Sequence, residues 1–193
     1  MTQLGLKVTI YSNRSKSIYR SYRGKVGQVA PNILKQSFNE VTPYKVLHTD
    51  ISQKKLSNSI KGYISPVIDE ASGQVVACAV SSHPDQALIN KTLSQLFQRL
   101  PQESQSILHS DQGWHYQLPF YQQQLRDHHL VQSMSRKGNC LDNSPVESFF
   151  NLLKRECLNR IEITTLAKLK VVIKNYVKWY NNERISLNLN CIK

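Results

Sequence analysis

Three acidic side chains stand at positions where a carboxylate is costly to place. Asp50 lies inside the apolar segment YKVLHTDI, and Asp111 ends the segment SILHSD just before the turn-forming QGW. Glu147 lies at the margin of the apolar stripe that helical spacing gives to SPVESFFNLLKRECL. A carboxylate on or beside a central strand costs free energy unless a cation or a hydrogen-bond donor compensates it. These three residues are therefore candidates for metal-assisted chemistry.

Each of the three also has an ordinary interpretation when it is taken alone. Asp50 fits an edge strand that faces water, and Asp111 fits a turn, since Ser-Asp before Gly is a common turn sequence. Glu147 fits a solvated helix face. The combination of the three favours a site.

The predicted helix around Glu147 carries two further polar residues on the same edge. Lys154 follows Glu147 by about two helical turns and so projects at nearly the same angle, and Asn151 lies between them on the adjoining face. One helix edge thus presents an acid, an amide and a cation in a row. An exposed helix face would show the same residue types.

Three carboxylates that converge from two strands and a helix suit metal-dependent phosphoryl transfer. Such a set can bind two Mg²⁺ ions, which are hard cations that prefer oxygen ligands, and Mn²⁺ is expected to substitute. A pair of ions can hold the attacking and leaving oxygens of the reaction. Without cations, mutual repulsion raises the pKa values of the carboxyls, so we expect a looser site in the metal-free protein.

Strand and helix patterns place these residues on a mixed sheet. Three consecutive strands, predicted as an antiparallel meander, are followed by alternating helices and strands and then by two helices. The predicted strands are KVLHTDI, GYISPVID, QVVACAVS, SILHSD and LVQSMS, and the predicted helices are 85–100, LPFYQQQLRDHH, SPVESFFNLLKRECL and TLAKLKVVIKNYVKWYNNER. The prediction is an α/β fold, a ribonuclease-H-like mixed β-sheet of about five strands flanked by helices.

Positive charge is concentrated at the two ends of the chain. The total net charge is +12, of which residues 1–43 carry +6, residues 44–111 carry none and residues 112–193 carry +6. A basic surface indicates a polyanionic partner, although basic solubility accounts for part of it. We predict three segments: a basic N-terminal arm or linker over 1–43, a catalytic core over 44–160, and a C-terminal helix and tail over 161–193. The arm contributes Arg20, Arg23 and Lys25 as candidate DNA contacts.

Other protein classes find little support. No stretch has the roughly 18 uninterrupted apolar residues that a membrane helix needs, so we expect no membrane partner and a cytoplasmic protein. The four cysteines form no CxxC pair. A zinc-dependent module that would use His48, His109, His115 and the cysteines is weak, because the ligands lack finger-like spacing.

Three motifs resemble a known family. HTDIS around Asp50, HSDQGWHY around Asp111 and SMSRKGNCLDNSPVESFFNLLKRE around Glu147 are similar to the integrase-core transposases of bacterial insertion sequences, relatives of retroviral integrases. Thirty-five residues separate Asp111 from Glu147, as in that family, and Lys154 matches its basic residue after the glutamate. The resemblance spans roughly residues 4–187.

The resemblance implies a DNA transposase of the DDE type, with Mg²⁺-dependent cleavage and joining of DNA ends. Asp50, Asp111 and Glu147 would be the catalytic metal ligands, and Lys154 and the neighbouring Asn151 would contact the terminal DNA. Arg136 and Lys137, in the loop before the catalytic helix, would contact DNA. The implied partners are transposon terminal repeats, target DNA and further copies of the protein on paired ends.

Both ends of the chain depart from the family pattern. Relatives carry a helical DNA-binding region ahead of the core and a Gly-Leu-Ser-Pro-like motif after it, so we expect a chain truncated at both ends, with a helix-turn-helix partner or fusion upstream. The alternative is a catalytically incompetent remnant that only binds DNA or an intact transposase. His128-His129 replaces a frequent His-Gly pair, which is expected to strain a turn.

Overall fold

The structure is a computed structural model that describes residues 27–57, 60–101 and 104–185. Six strands and four α-helices follow one another in these residues. They are β1 (Val46–Thr49), β2 (Ser52–Lys55), β3 (Lys61–Asp69), β4 (Val75–Ser81), α1 (Gln86–Phe97), β5 (Ile107–Ser110), α2 (Pro119–Asp127), β6 (Val131–Met134), α3 (Ser144–Leu153) and α4 (Leu166–Asn182).

The strands form one mixed sheet in the order β4-β3-β1-β5-β6. The predicted meander is present, because β1 and β4 both pair antiparallel with β3. β5 pairs parallel with β1, and β6 pairs parallel with β5. The sequence did not predict β2, which continues the line of β1 and pairs with the first half of β3. Its sequence SQKK has no apolar run, and its residues alternate between half-buried and exposed.

Helices cover both faces of the sheet. α1 and α2 pack on one face through residues such as Leu93, Leu96 and Leu125, together with Leu47 and Leu108 of the central strands. α3 and α4 pack on the other face in a cluster that includes Ile64, Phe149, Phe150, Leu169 and Ile173. The C-terminal helix therefore shares a hydrophobic core with the sheet. No helix in the described ranges is long and apolar enough to cross a membrane.

Residues 30–33 run beside β6 at the far edge of the sheet. The Met134 amide donates to the Pro31 carbonyl oxygen, and the Ile33 amide donates to Ser133 Oγ. Leu34 is buried. Contacts of this kind cover an edge strand that would otherwise expose its backbone hydrogen-bonding groups. The described part of the predicted arm is thus attached to the core, whereas Arg20, Arg23 and Lys25 lie outside the described residues.

Candidate active site

Asp50 occupies an interruption between β1 and β2. Thr49 pairs with Val67 and Ser52 pairs with Ile64, so the break lies opposite Ser65 and Pro66 of β3. Pro66 has no backbone N–H to donate, which prevents a regular ladder at this point. The Asp50 carboxylate instead accepts a hydrogen bond from the Ile51 amide at 2.7 Å. Asp50 therefore lies where the strand pairing is interrupted opposite Pro66, and its carboxylate is not part of the regular sheet.

Strand register places Asp111 beside Asp50. β1 and β5 are parallel, and His48 is the register partner of His109. Asp50 and Asp111 each follow this pair by two residues, so both lie at the carboxyl edge of adjacent strands. The Asp111 carboxylate accepts a hydrogen bond from the Gly113 amide at 2.8 Å. A Cβ at Gly113 would stand only 2.9 Å from that carboxylate oxygen, so the approach favours glycine.

Glu147 reaches the same cleft from α3. The buried stripe Val146, Phe149, Phe150 and Leu153 fixes the rotation of this helix on the sheet, which leaves Glu147 half-buried at the stripe's margin, as predicted. One cleft brings the three predicted carboxylates together with loop residues. Its lining comprises Asp50, Asp111, Gln112, Ser135, Arg136, Lys137, Gly138, Asn139, Asn143 and Glu147.

The electrostatics of the cleft disfavour three negative charges at once. Burial, and then the neighbouring Asp111 carboxylate, raise the pKa of Asp50 from its ordinary 3.8 to about 8, with a further upward contribution from Glu147. The Lys154 ammonium acts in the opposite direction on the same pKa. Burial also raises the pKa of Glu147. A bound cation would relieve this repulsion.

The carboxylates face one cleft without forming a tight ligand cluster. Within the described ranges, no three His, Cys, Asp or Glu side chains are close enough to hold a metal ion as they stand. Hard divalent cations prefer an all-oxygen donor set such as this one.

A buried hydrogen-bond network joins the strand that carries Asp50 to the helix that carries Glu147. Asn143, directly before α3, donates from Nδ2 to the Thr49 carbonyl oxygen at 3.0 Å. Its Oδ1 then faces His48 Nδ1 at 3.0 Å, while His48 Nε2 faces the Glu70 carboxylate at 2.7 Å. Both ring nitrogens of the buried His48 thus lie within hydrogen-bond distance of a polar partner.

His109 lies beneath the site in a neutral state. Its two ring nitrogens contact the hydroxyl oxygens of Ser133 and Ser135 at 2.8 and 3.1 Å. Burial lowers its pKa to about 4, so the ring is uncharged at neutral pH. His115 Nε2 contacts the Pro84 carbonyl oxygen. The histidines thus have separate hydrogen-bond partners, which gives the zinc interpretation no support.

The loop before α3 is organised around Asp142, a residue that the sequence did not single out. Its buried carboxylate accepts from the backbone and guanidinium of Arg136, and from the side-chain amides of Asn32 and Gln36. These donors, first of all Arg136, hold the pKa of Asp142 well below its usual range. The Arg136 side chain is paired and yet 60% exposed, so its DNA contact stays a prediction. Asn32 and Gln36 lie more than 100 residues from Asp142 in the sequence, and no local signal reveals these two partners.

The remaining predicted DNA contacts lie around the cleft. Lys137 lines it and is exposed, and the following Gly138 has φ +73°, a left-handed turn that favours glycine. Lys154 and Asn151 are both exposed on the edge of α3 next to Glu147. The Lys154 Nζ lies 6.0 Å from the centre of the Phe150 ring. Beyond Leu153 the helix continues as a π turn, Lys154–Leu158, which the sequence did not predict.

Comparison with known proteins defines the class to which this fold and site belong. The model of the integrase core domain family matches residues 40–140, and a second integrase core domain model matches residues 147–192. A transposase-like protein of Haemophilus influenzae is 40% identical over 96% of this chain and 83% of its own length. The chain belongs to the integrase-core transposases.

A second relative is named for a particular insertion sequence. The protein named as transposase InsK for insertion sequence element IS150 of Escherichia coli K12 is 43% identical over 98% of this chain. The chain spans 65% of the length of InsK.

Solved structures share the fold at low sequence identity. The catalytic core domain of HTLV-2 integrase, solved in complex with magnesium, superposes with a TM-score of 0.57 at 16% identity, over 77% of this chain and 92% of that one. The catalytic domain of Mos1 mariner transposase superposes with a TM-score of 0.59 at 10% identity, over 70% of each chain. The predicted ribonuclease-H-like fold is confirmed.

Proposed function

We propose that this chain is the catalytic core of a DNA transposase that cleaves phosphodiester bonds at transposon ends and joins those ends to target DNA. The observation that carries the proposal is the parallel register of β1 and β5, which sets Asp50 and Asp111 side by side, with Glu147 facing the same cleft. Family membership and the acidic, half-buried cleft support the same reaction class.

Asp50, Asp111 and Glu147 would hold two Mg²⁺ ions, with Mn²⁺ as a substitute. The donor set fits, since burial and then the neighbouring Asp111 carboxylate raise the pKa of Asp50, and a bound cation would offset both effects. When bound, such ions supply Lewis acidity to the attacking hydroxyl and the leaving oxygen of the phosphodiester. The magnesium in the HTLV-2 integrase core belongs to a protein of the same fold.

The protein's own residues would position DNA around this centre. Lys154 and Asn151 project beside Glu147 and would contact backbone next to the reacting phosphate. Lys137 and the exposed side of Arg136 would contact the strand that enters across the loop. The Asn143 side chain, through its bond to the Thr49 carbonyl oxygen, would help to orient the two walls of the cleft.

The proposal includes partners beyond the DNA ends. Copies of the transposase would assemble on paired ends, as the integrase core of HTLV-2 was solved in trimeric and dimeric forms. A helix-turn-helix region, fused or supplied by a separate protein, would recognise the terminal repeats. The 35% of InsK outside the match leaves room for such a region in that relative.

A metal-dependent DNA assay tests the proposal. The purified chain is incubated with a labelled duplex that carries the terminal repeats flanking its gene, with Mg²⁺, with Mn²⁺ or with EDTA, beside Asp111→Asn. We expect nicked and joined products with either metal, and none with EDTA or with the variant. Equal DNA binding by both proteins without any metal-dependent product would support the non-catalytic remnant instead.

A further inference from the structure

A basic groove follows the outer edge of β4, away from the carboxylate cleft. It lies between α1 and α4 and has a volume of about 580 Å³. Five cationic side chains line it, and no Asp or Glu is among the described residues of its lining: Lys91, Arg99, Lys170, Lys174 and Lys178. We propose that this groove binds the phosphate backbone of double-stranded DNA. The inference rests on the proposed action on DNA.

The α4 wall of the groove is a regular stripe of charge. Lys170, Lys174 and Lys178 are exposed and recur every four residues, which places them about 6 Å apart on one face of the helix. The helix Leu166–Asn182 contains no acidic residue, so no neighbour one turn away neutralises the stripe. The stripe is about 12 Å long, and phosphates recur every 3.4 Å along a strand, so it spans three to four of them.

The opposite wall of the groove, formed by α1 and the residues after it, adds two further cations. Lys91 is exposed on α1. Arg99 follows α1, and its Nη1 donates to the Val76 carbonyl oxygen at 2.9 Å. The guanidinium is therefore held at the rim of the groove, where its remaining donors can meet a phosphate without further ordering.

Along the floor of the groove, side chains already form hydrogen bonds with backbone groups of β4. Gln95 Oε1 accepts from the Cys78 amide, and the Asn181 amide both accepts from the Val75 N–H and donates to its carbonyl oxygen. Together with Arg99, these contacts close the edge of β4 to an added strand at three positions. A peptide partner that would extend the sheet is thus disfavoured.

Charge also disfavours a second copy as occupant. An isologous dimer through this groove would set the same five cations against themselves across the two-fold axis. A nucleic-acid backbone offers the opposite charge over the full length of the groove. β4 lies two strands from β1 in the sheet, so the groove is a surface separate from the carboxylate cleft.

The test compares two triple variants that remove equal charge. In the first, Lys170, Lys174 and Lys178 are changed to Ala. In the control, three exposed lysines outside the groove lining are changed to Ala: Lys45, Lys61 and Lys168. Binding of the full chain to a duplex without terminal repeats is measured by fluorescence anisotropy over a range of KCl concentrations, with circular dichroism as the check on folding.

We expect the groove variant to bind roughly tenfold or more weakly at moderate salt, with a slope of log K against log salt that is shallower by about 2.7. The control should change the slope by clearly less. Equal slopes for the two triple variants, or a change in oligomeric state with unaltered DNA affinity, would overturn the proposal. Metal-dependent nicking is scored separately, so its absence would reject the proposed function without affecting the slope comparison.

Discussion

The Asn143 side chain donates a hydrogen bond to the Thr49 carbonyl oxygen at 3.0 Å. Thr49 immediately precedes Asp50, and Asn143 lies one helical turn before Glu147, so this bond ties two walls of the cleft to each other. His48 completes the link through Asn143 Oδ1 and the Glu70 carboxylate. Asn143 thus connects the strand that leads to Asp50 with the helix that carries Glu147.

Asn143→Ala should slow catalysis without weakening DNA binding. The variant loses the bond to Thr49 and leaves His48 without one of its polar partners, so Glu147 is less well placed relative to Asp50. We expect kcat to fall by roughly 10- to 100-fold, the range seen when groups that orient metal ligands are removed, with KM for DNA little changed. Asn175→Ala, an exposed asparagine on α4, is the control. A rise in KM as large as the fall in kcat would contradict a positioning role.

Asp50→Asn should stabilise the metal-free protein. The folded-state pKa of Asp50 is raised to about 8 from 3.8, so its contribution to stability is full below about pH 4 and is lost as pH rises toward 8. The side-chain amide of the variant is uncharged at every pH, so it does not lose this stability as the pH rises. We expect the gain to grow from near zero at acid pH to roughly 1–3 kcal/mol at pH 8.

Urea unfolding in EDTA at several pH values measures the gain. Asp127→Asn, on the exposed end of α2, serves as the reference. A constant gain at all pH values would show that carboxylate repulsion is not its source.

Asp142→Asn should weaken the fold at neutral pH and remove part of its acid sensitivity. The pKa of Asp142 is lowered in the folded state, so its stabilisation is present above about pH 4 and is lost as pH falls below that value. Five nitrogen donors converge on this buried carboxylate, and we expect a loss of roughly 2–4 kcal/mol at pH 7. The difference between variant and parent should shrink at low pH. Parallel stability curves for the two proteins would contradict this account of Asp142.

His129→Gly should raise stability slightly. His129 follows α2 with φ +58°, the left-handed region in which a side chain is strained, as the replaced His-Gly pair had suggested. Relief of strain exceeds the extra unfolded-state entropy of glycine, so we expect a gain of roughly 0.5–1 kcal/mol in thermal unfolding. His128→Gly is the matched control, because His128 has φ −112° and should lose stability on the same change. A loss of stability in both variants would show that the backbone at His129 is not strained.

Local patterns allowed most of the architecture to be predicted. Apolar runs revealed β1, β3, β4, β5 and β6, and helical spacing revealed the four helices. β2 was missed because SQKK is polar and pairs only by extension of β3. The grouping of Asp50, Asp111 and Glu147 could be inferred because the strands and the helix that carry them show clear apolar patterns in the sequence.

The supporting contacts could not be predicted from the sequence. Asn143 and His48 are 95 residues apart, and Asp142 is 110 residues from Asn32. Such pairs depend on the finished fold, and each residue type alone also fits a helix cap or a solvated loop. The groove beside β4 was hidden for the same reason, since Lys91 and the lysines of α4 meet only across the sheet edge.

The most direct test of the central claim is the single-turnover rate of Mg²⁺-dependent cleavage at a transposon end. The rates of Asp50→Asn, Asp111→Asn and Glu147→Gln are compared with those of the parent and of Asp127→Asn. If the three carboxylates form one metal centre, each of the three variants should lose at least about a thousandfold, while Asp127→Asn stays within about twofold. Cleavage within tenfold of the parent by any one of the three would show that this carboxylate is not part of the centre.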